Sequence, residues 1–263
     1  MDAATGMLIA GEDLFAFVEA VMWALFRVGA VLMAAPLIGT RSIPMRIRLV
    51  LAIAISAALT PLLPSPPPMA VDAATVLNVV RELALGVAMG FVLRLAFEAG
   101  SLAGELIAQG MALAFAQMAD PLRGGASSGV VGMWFYVSMG LLFFAFDAHL
   151  ALVELIAHSY SALPVGQPIA DPGRIAHEVP LFLAVVLRVG ATIAVPVMIA
   201  MLVVNLSFGV LSRAAPQMNP IQIGLPAALF MGFTLLVVLT GELAAPVERL
   251  FLQAFGAAYG LLG

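Results

Sequence analysis

Two long uncharged stretches near the C-terminus constrain the fold of this chain more than any other feature. Val189–Ser212 and Ala214–Gly241 contain no Asp, Glu, Lys or Arg, and only Arg213 separates them. A helix that crosses the hydrocarbon core of a bilayer needs about 20 mainly apolar residues. Each stretch therefore predicts a membrane-spanning helix. The polar, proline-containing sequence LSRAAPQMNPIQIGLP at 211–226, around Arg213, predicts a loop, a helix break or a buried interface.

The composition supports an integral membrane protein. Apolar residues make up 63% of the 263 residues and charged residues 10%, whereas a soluble domain carries about a quarter charged residues. The net charge of −4 gives no electrostatic footprint for nucleic acid. The absence of cysteine excludes disulfides and cysteine-ligated metals. The acidic N-terminal segment lacks the positive region of a cleavable signal peptide, so none is expected.

The apolar runs predict one all-α domain, a polytopic membrane protein of about six long hydrophobic helices. The predicted helices are Leu14–Ile38, Leu49–Leu63, Thr75–Ala99, Val130–Leu163, Pro180–Leu211 and Leu225–Leu239. Ser101–Ala119 is interrupted by Gly, Glu and Gln, which favours a buried or re-entrant segment, and Pro246–Leu262 predicts a weak amphipathic tail. The predicted loops are 39–48, 64–74, 120–129, 164–179 and 213–224.

The arginines predict the orientation. The loop with Arg41, Arg46 and Arg48 is the densest positive cluster and should face the cytoplasm. The N-terminus and the proline cluster at 61–69 then lie on the opposite side. Alternation of the helices places 213–224 in the cytoplasm and leaves Arg174 outside.

Several charged residues lie within the predicted helices. Arg94 and Glu98 are i,i+4 neighbours on one helix face, and Glu105 follows on roughly the same face. The same reasoning applies to Arg27, Arg81, Glu82 and Arg188. Two interpretations remain open from the residues alone: a charged lining of an aqueous path, or ion pairs satisfied against neighbouring helices.

The segment Gly104–Pro121 combines two glycines with bulky, flexible side chains. Gly104 and Gly110 permit close approach or a break, and an Asp-Pro turn closes the segment. An apolar ring of such side chains can close a wide pore by dewetting and deform around a substrate. The alternative is a methionine-rich helix that packs into a bundle. The side chains concerned are Met111, Leu113, Phe115 and Met118.

No motif indicates an enzyme or a cofactor. GASSG at 125–129 fits the pattern of serine hydrolases, but that motif requires a strand-turn-helix elbow. The histidines are His149, His158 and His177, and their spacing does not match a zinc motif, which favours packing or interface roles. A phosphate-binding loop ending in Gly-Lys is excluded because the chain has no lysine.

Several motifs, in their order along the chain, resemble the FliR/SctT family of type III secretion export-gate proteins. They are APLIGTRSIPMRIRLVLA at 35–52, LGVAMGFVLRLAFEAGSLAGELIAQGM at 85–111, Asp120-Pro121, and LSRAAPQMN at 211–219. Two sites depart from the family pattern. Asp147-Ala148-His149 stands where the family usually has Gly-His-His, and PIQIG at 220–224 replaces Val-Phe-Ala before the glycine. The proline at 220 predicts a shortened or redirected loop at this site.

The resemblance implies a fold and a function. A FliP-like part over about 1–200 would precede a FliQ-like hairpin over about 201–263, within a helical export-gate cone raised largely above the plane of the inner membrane, at the flagellar basal body. The resemblance implies that helices that look transmembrane are buried in protein there. FliP, FliQ and FlhB would be the partners, with FlhA nearby and unfolded flagellar subunits as substrates. The implied plug residues are Gly110, Met111, Leu113, Phe115, Met118 and Asp120. The implied assembly residues are Arg94, Glu98, Glu105, Arg213, Pro216, Gln217 and Asn219.

Two rival functions belong to other classes. A secondary transporter would place a small-solute site at the bilayer midplane, between broken helices near Gly104–Gly110 and Pro216–Pro226. Such folds are built from inverted repeats, and the sequence contains no recognisable repeat. An intramembrane enzyme ranks behind it because no catalytic pair or metal set is present.

Overall fold

The computed structural model describes residues 3–40, 43–111, 129–168, 172–214 and 220–263. These residues form eight α-helices and one short 3-10 helix, Thr60–Leu62, and no β-strand occurs among them, which confirms the all-α prediction. The helices are α1 Ala3–Ala34, α2 Met45–Leu59, α3 Ala73–Gly110, α4 Val130–Ala145, α5 Ala148–Ala162, α6 Pro172–Ala214, α7 Pro220–Glu242 and α8 Ala244–Gly260.

Five of the described segments are long and apolar enough to cross a membrane. They are Asp13–Ala34, Met45–Leu62, Ala73–Gly110, His177–Ala214 and Gly224–Glu242. The pair α4 and α5 passes the same criterion together, although its two helices meet at an angle of 69°. The prediction of about six long hydrophobic helices is therefore confirmed.

Helix α3 corrects the predicted division into Thr75–Ala99 and a separate segment from Ser101. It continues without a break to Gly110. The glycines that suggested a break instead allow close packing. A Cβ atom at Gly104 would lie 2.6 Å from the Cα atom of Gly132 on α4, so the two backbones meet where neither residue has a side chain.

The predicted helix Val130–Leu163 is also corrected, because it bends at Asp147. Asp147 has a φ of 54° and lies between α4 and α5. Few residues adopt this left-handed conformation readily, and Asp and Asn follow Gly in tolerating it.

Two further boundaries differ from the prediction. Helix α6 begins at Pro172, so part of the predicted loop 164–179 is helical, because proline is favoured at the first helical position. Pro180 instead lies inside α6. The tail also forms the regular helix α8, whose Val247, Leu250 and Ala258 are buried.

The described helices divide into two compact units, and the first comprises Met1–Arg94, Asp147–Phe182 and Ala254–Gly263. Within it, α1 packs closely on α3. Cβ atoms added at Gly86 and Gly90 would each lie 2.5 Å from a backbone oxygen of α1, those of Arg27 and Val31. Small residues therefore set the distance between these helices.

The second unit comprises Leu95–Phe146 and Leu183–Gln253. Its core joins α3, α4, α6 and α7 through buried aliphatic and methionine side chains, and Phe97, Phe143 and Phe251 form an aromatic cluster with ring centroids 5.5 to 5.7 Å apart. Central members of this core are Ala103, Ile107, Met111, Val131, Phe135, Ala194, Val197 and Met201. Gly110 and Met111, the first two predicted plug residues, belong to this unit.

Candidate functional site

The predicted plug segment begins at the end of α3, and the structure describes its first two residues. Gly110 is the last residue of α3, and the Met111 N–H donates to the Ile107 carbonyl at 3.1 Å. The other predicted plug residues, Leu113, Phe115, Met118 and Asp120, lie outside the described residues. Residues 106–111, which lead into the predicted plug segment, form its root.

Met111 is fully buried in the second unit. Its side chain occupies a notch at Gly232 of α7, where an added Cβ atom would lie 2.5 Å from the Met111 Cγ atom. No larger residue fits at position 232 without moving this side chain. Met111 is therefore packed against α7, at the start of the predicted plug segment, rather than projecting freely.

Gly110 is held from α6. The Asn205 side-chain amide donates to the Gly110 carbonyl at 3.1 Å. The last carbonyls of a helix have no partner within that helix, so a donor from elsewhere completes the end of α3. Met201, one turn earlier on α6, contacts the same glycine, with its Cβ atom 3.3 Å from an added Cβ at Gly110.

A cavity of about 360 Å³ lies beside this root. Leu106, Gln109 and Gly110 line one side of it, and α6 residues from Val195 to Asn205 line the other. The side-chain amides of Gln109 and Asn205 are the polar groups of an otherwise apolar wall. Asn205 was not predicted as a site residue; its signal was an isolated amide within an uncharged stretch.

The predicted assembly residues on α3 share an exposed face. Arg94, Glu98 and Glu105 are all exposed, and their spacing places them on one side of the helix. The exposed positions earlier in α3 are apolar, Val80, Leu83, Val87 and Phe91 among them. The exposed face of α3 thus changes from apolar to charged near Arg94.

Arg213 is exposed on the last turn of α6. A positive charge there interacts favourably with the negative end of the helix dipole. Its guanidinium makes no ion pair with any of the residues that the structure describes. Pro216, Gln217 and Asn219, the other predicted members of this motif, lie outside the described residues.

A buried charge network in the first unit has Arg27 at its centre. Arg27 is fully buried and forms a bidentate ion pair with Glu82, with nitrogen–oxygen distances of 2.7 and 2.8 Å. Its remaining N–H groups donate to the Ser159 carbonyl and hydroxyl at 2.7 and 3.1 Å and to the Leu163 carbonyl at 2.8 Å. All of the guanidinium donors are satisfied, which is the condition for a stable buried charge.

Tyr160 completes this network. The Arg27 guanidinium carbon lies 4.1 Å from the centre of the Tyr160 ring, a cation–π contact. The Tyr160 hydroxyl donates to the Ala24 carbonyl at 3.0 Å. For Arg27 and Glu82 the structure supports the second of the two sequence interpretations, an ion pair satisfied between helices. Ser159 and Tyr160 were not predicted, because neither residue type signals a charge partner.

The proline cluster is fastened beside this network. The Trp23 indole N–H donates to the Pro67 carbonyl at 3.1 Å, and the Glu19 carboxylate accepts from the Met69 N–H. Trp23, Tyr160 and the residues around Pro64 line a cavity of about 330 Å³. The segment predicted as an exposed turn is therefore held against α1 at its C-terminal end.

The histidines are not gathered into a ligand set. His158 packs edge-on against Tyr259 with the ring centroids 5.2 Å apart, which agrees with the predicted packing role. Burial and then the nearby Glu154 charge raise the pKa of the Tyr259 phenol. Within the described ranges no group of three His, Asp or Glu side chains is placed to hold a metal ion. Of the GASSG sequence, only Gly129 is described.

Comparison with known proteins relates the whole chain to one family. Residues 18–254 match the family model of bacterial export proteins, family 1. The chain is 31% identical to the flagellar biosynthetic protein FliR of Escherichia coli, over 94% of each chain. It is 32% identical to FliR of Pectobacterium carotovorum over 92% of each chain, and 25% identical to FliR of Bacillus subtilis over 91% of this chain and 92% of that relative.

The match extends from within α1 to within α8 and therefore includes both the Arg27 network and the root of the plug segment. The similarity is therefore not confined to a single short motif. The chain belongs to the FliR family of bacterial export proteins.

Proposed function

We propose that this chain is a non-catalytic subunit of the flagellar type III export gate, which forms part of the pore wall and the plug for unfolded flagellar proteins. The observation that carries the proposal is its similarity to FliR of Escherichia coli over 94% of both chains. The long apolar helices fit a location in the bacterial inner membrane, within the flagellar basal body. No cofactor is part of the proposal.

The plug is the first element of this function. Gly110 and Met111 form an anchored root, and we infer that Leu113, Phe115, Met118 and Asp120 continue from it towards the channel. A pore wide enough for a polypeptide must be sealed against ions at rest, and a hydrophobic constriction provides that seal without a specific site. Asn205 and Gly232 support this role because they fix the root from which the predicted seal begins.

The partners are the second element. We infer that FliP, FliQ and FlhB surround the chain and that FlhA lies nearby. We assign the exposed Arg94, Glu98, Glu105 and Arg213 to the interface with such subunits, together with Pro216, Gln217 and Asn219. The division into a FliP-like part, about 1–200, and a FliQ-like hairpin, about 201–263, belongs to this proposal.

The alternative of a secondary transporter has no support from the comparisons, which relate the chain to export proteins. The cavity beside Gly110 also has few polar groups, chiefly the amides of Gln109 and Asn205. A transporter for a polar solute needs convergent polar or charged groups in its site.

Copurification tests the proposal. The chain carrying an affinity tag is produced with FliP and FliQ of its own host and, in parallel, alone. A gate subunit should be recovered with both partners and be unstable without them. A chain that is stable alone, binds neither partner and takes up a solute in vesicles would contradict the proposal.

Arg213→Ala tests the interface within the same experiment. In the proposed interface Arg213 would become one member of a buried charge pair, and the loss of one member costs about 3–5 kcal/mol, so this variant should abolish motility and reduce recovery of the complex. Arg46→Ala is the matched control, because Arg46 is also an exposed arginine. Normal assembly and swimming of the Arg213 variant would remove Arg213 from the interface.

A further inference from the structure

The cavity beside the proline cluster, in the first unit, has a carboxylate in its wall. It has a volume of about 330 Å³, and Glu19 of α1 lines it together with two buried aromatic side chains, Trp23 and Tyr160. Residues of the proline cluster, from Leu63 to Pro68, form another part of the wall. The plug root and the predicted assembly set contribute nothing to this cavity.

Glu19 has no counter-charge among the described residues. One of its carboxylate oxygens accepts a hydrogen bond from the Met69 N–H, but the carboxylate forms no ion pair with any described arginine or histidine. Arg27 is already paired with Glu82. Glu19 is half-buried and lies within the apolar span Asp13–Ala34. A carboxylate there needs a partner whether lipid or protein surrounds the helix, so this charge indicates a cationic ligand.

Most hydrogen-bond donors of the cavity wall are used within the protein. The Trp23 indole N–H and the Tyr160 hydroxyl donate to backbone carbonyls of the proline cluster and of α1. The Thr60 hydroxyl donates to a carbonyl of α2. Proline residues add carbonyl oxygens to the wall but no N–H groups. The wall therefore offers acceptors and aromatic surface, which match a ligand that donates hydrogen bonds and carries a positive charge.

The engaged oxygen of Glu19 distinguishes between the two basic side chains. An arginine binds a carboxylate best through two parallel hydrogen bonds, one to each oxygen. Because the Met69 N–H occupies one oxygen, the compact ammonium of a lysine, which pairs with the other oxygen alone, is the better match. The four-carbon stem of a lysine would pack against the aromatic and aliphatic wall. We propose that this cavity receives a lysine side chain from a neighbouring protein subunit.

The lysine has to come from another protein, because this chain contains none. The inference therefore rests on the proposed function, in which the chain is one subunit of an assembly. A free polyamine carries the same ammonium group and is the competing source. The two sources differ in mass once they are attached to Glu19.

Carbodiimide crosslinking tests the inference. The tagged chain is captured from membranes of its own host with the assembly that it forms, and a water-soluble carbodiimide then joins carboxylates to amines in contact with them. Peptide mass spectrometry identifies the amine attached to Glu19. We expect a lysine of another subunit, and such a crosslink is necessarily intermolecular because the chain has no lysine.

Glu19→Gln separates the charge from the hydrogen bond. The amide oxygen can still accept from the Met69 N–H, so the chain should keep its resistance to protease. Retention of the crosslinked subunit after a brief salt wash should fall about tenfold, because its ammonium loses the counter-charge. Asp13→Asn is the matched control, since Asp13 is an exposed carboxylate of the same helix.

Ala16→Phe tests the cavity itself. Ala16 lines the cavity and is exposed, so a phenyl ring there would fill part of the space without removing the Glu19 charge. The crosslink at Glu19 should be lost while resistance to protease is unchanged. A lysine crosslink that persists in this variant would place the lysine outside the cavity and overturn the inference.

Other results would overturn it as well. They are the absence of a lysine crosslink at Glu19 although partners are captured, a crosslink to a free polyamine alone, and unchanged retention in the Glu19→Gln variant. Each of these would leave the proposed function standing. Capture of no partner by the wild-type chain would overturn both.

Discussion

At Arg27 a guanidinium group that lipid would not tolerate is enclosed entirely by protein groups. Glu82 supplies the counter-charge, Ser159 and Leu163 accept the remaining hydrogen bonds, and Tyr160 covers one face. Residues from distant parts of the sequence meet at this point. The network is therefore a measure of whether the first unit is correctly folded.

We predict that Arg27→Met destabilises the first unit by about 3–5 kcal/mol, because Glu82 is left as an uncompensated buried charge. The steady-state amount of the chain in membranes and its resistance to protease should both fall. The double variant Arg27→Met, Glu82→Leu should recover much of the loss. Arg46→Met is the exposed control. A single variant as abundant and resistant as the wild type would show that the network has no structural role.

The sequence identified the charged residues of this network, Arg27 and Glu82, but not the uncharged residues that contact them. Arg27 and Glu82 stood out because charged residues are rare in apolar helices. Ser159 and Tyr160 gave no comparable signal, since serine and tyrosine are common in helices of every kind. Asn205 did give a signal, as an isolated amide within an uncharged stretch, but its partner, the Gly110 carbonyl, did not. Which group meets which is decided by packing between residues far apart in sequence.

Among the elements, α3 connects most of the features described above. It supplies Glu82, the exposed Arg94, Glu98 and Glu105, and the plug root at Gly110. Its glycines are contact points rather than breaks, and hydropathy cannot distinguish the two, because a glycine inside a helix looks the same in sequence as one that ends it.

Gly104→Ala tests this interpretation of α3. The added Cβ atom would lie 2.6 Å from the Gly132 backbone, which cannot yield as a side chain can. The helices would have to separate, and we expect a loss of roughly 1–3 kcal/mol in stability. Thermal unfolding of the purified complex measures this loss of stability. Gly209→Ala is the control, since nothing lies within 4 Å of its added Cβ atom. Equal melting temperatures for both variants would contradict the close approach.

The orientation of α2 is a second prediction at this scale. Cysteines placed at Thr40 and Ser65 flank the span Met45–Leu62, and the chain has no native cysteine to interfere. Thr40 should react with reagents from the cytoplasmic side and Ser65 from the opposite side, because arginine-rich loops remain in the cytoplasm. Labelling of both cysteines from one side would reverse or abolish the orientation inferred from Arg41, Arg46 and Arg48.

At the scale of the whole molecule, the number of helices was predictable and their grouping was not. Each span can be recognised from its own apolar sequence. About six spans were therefore expected, and five to six are found among the described residues. The two units instead interleave distant stretches of chain, as Asp147–Phe182 joins Met1–Arg94. The prediction of a single domain carried no information about that arrangement, since long-range packing leaves little trace in local composition.

A prediction about the whole molecule concerns how the channel is sealed at rest. Replacement of residues 112–118 by glycine and serine should leave assembly intact but make membranes permeable to small ions and dyes, because the apolar constriction is lost. Met111 is kept, since it packs in the core at Gly232.

Bilayer recordings of the purified complex measure the added conductance. Met111→Ala provides the comparison, and it should affect stability before permeability, as truncation of a buried side chain leaves a cavity. A 112–118 variant that assembles normally and adds no conductance would reduce this segment to ordinary packing.

Three methionines of the second unit lie against glycines: Met139 at Gly100, Met201 at Gly110 and Met111 at Gly232. All three are closed to solvent, and only an exposed thioether is readily oxidised to the sulfoxide. Brief pulses of hydrogen peroxide would therefore oxidise these side chains only when the packing at the neighbouring glycines opens. These methionines can therefore report local opening. Oxidation of Met111 without oxidation of Met139 would show that the plug root moves while the rest of the unit stays closed.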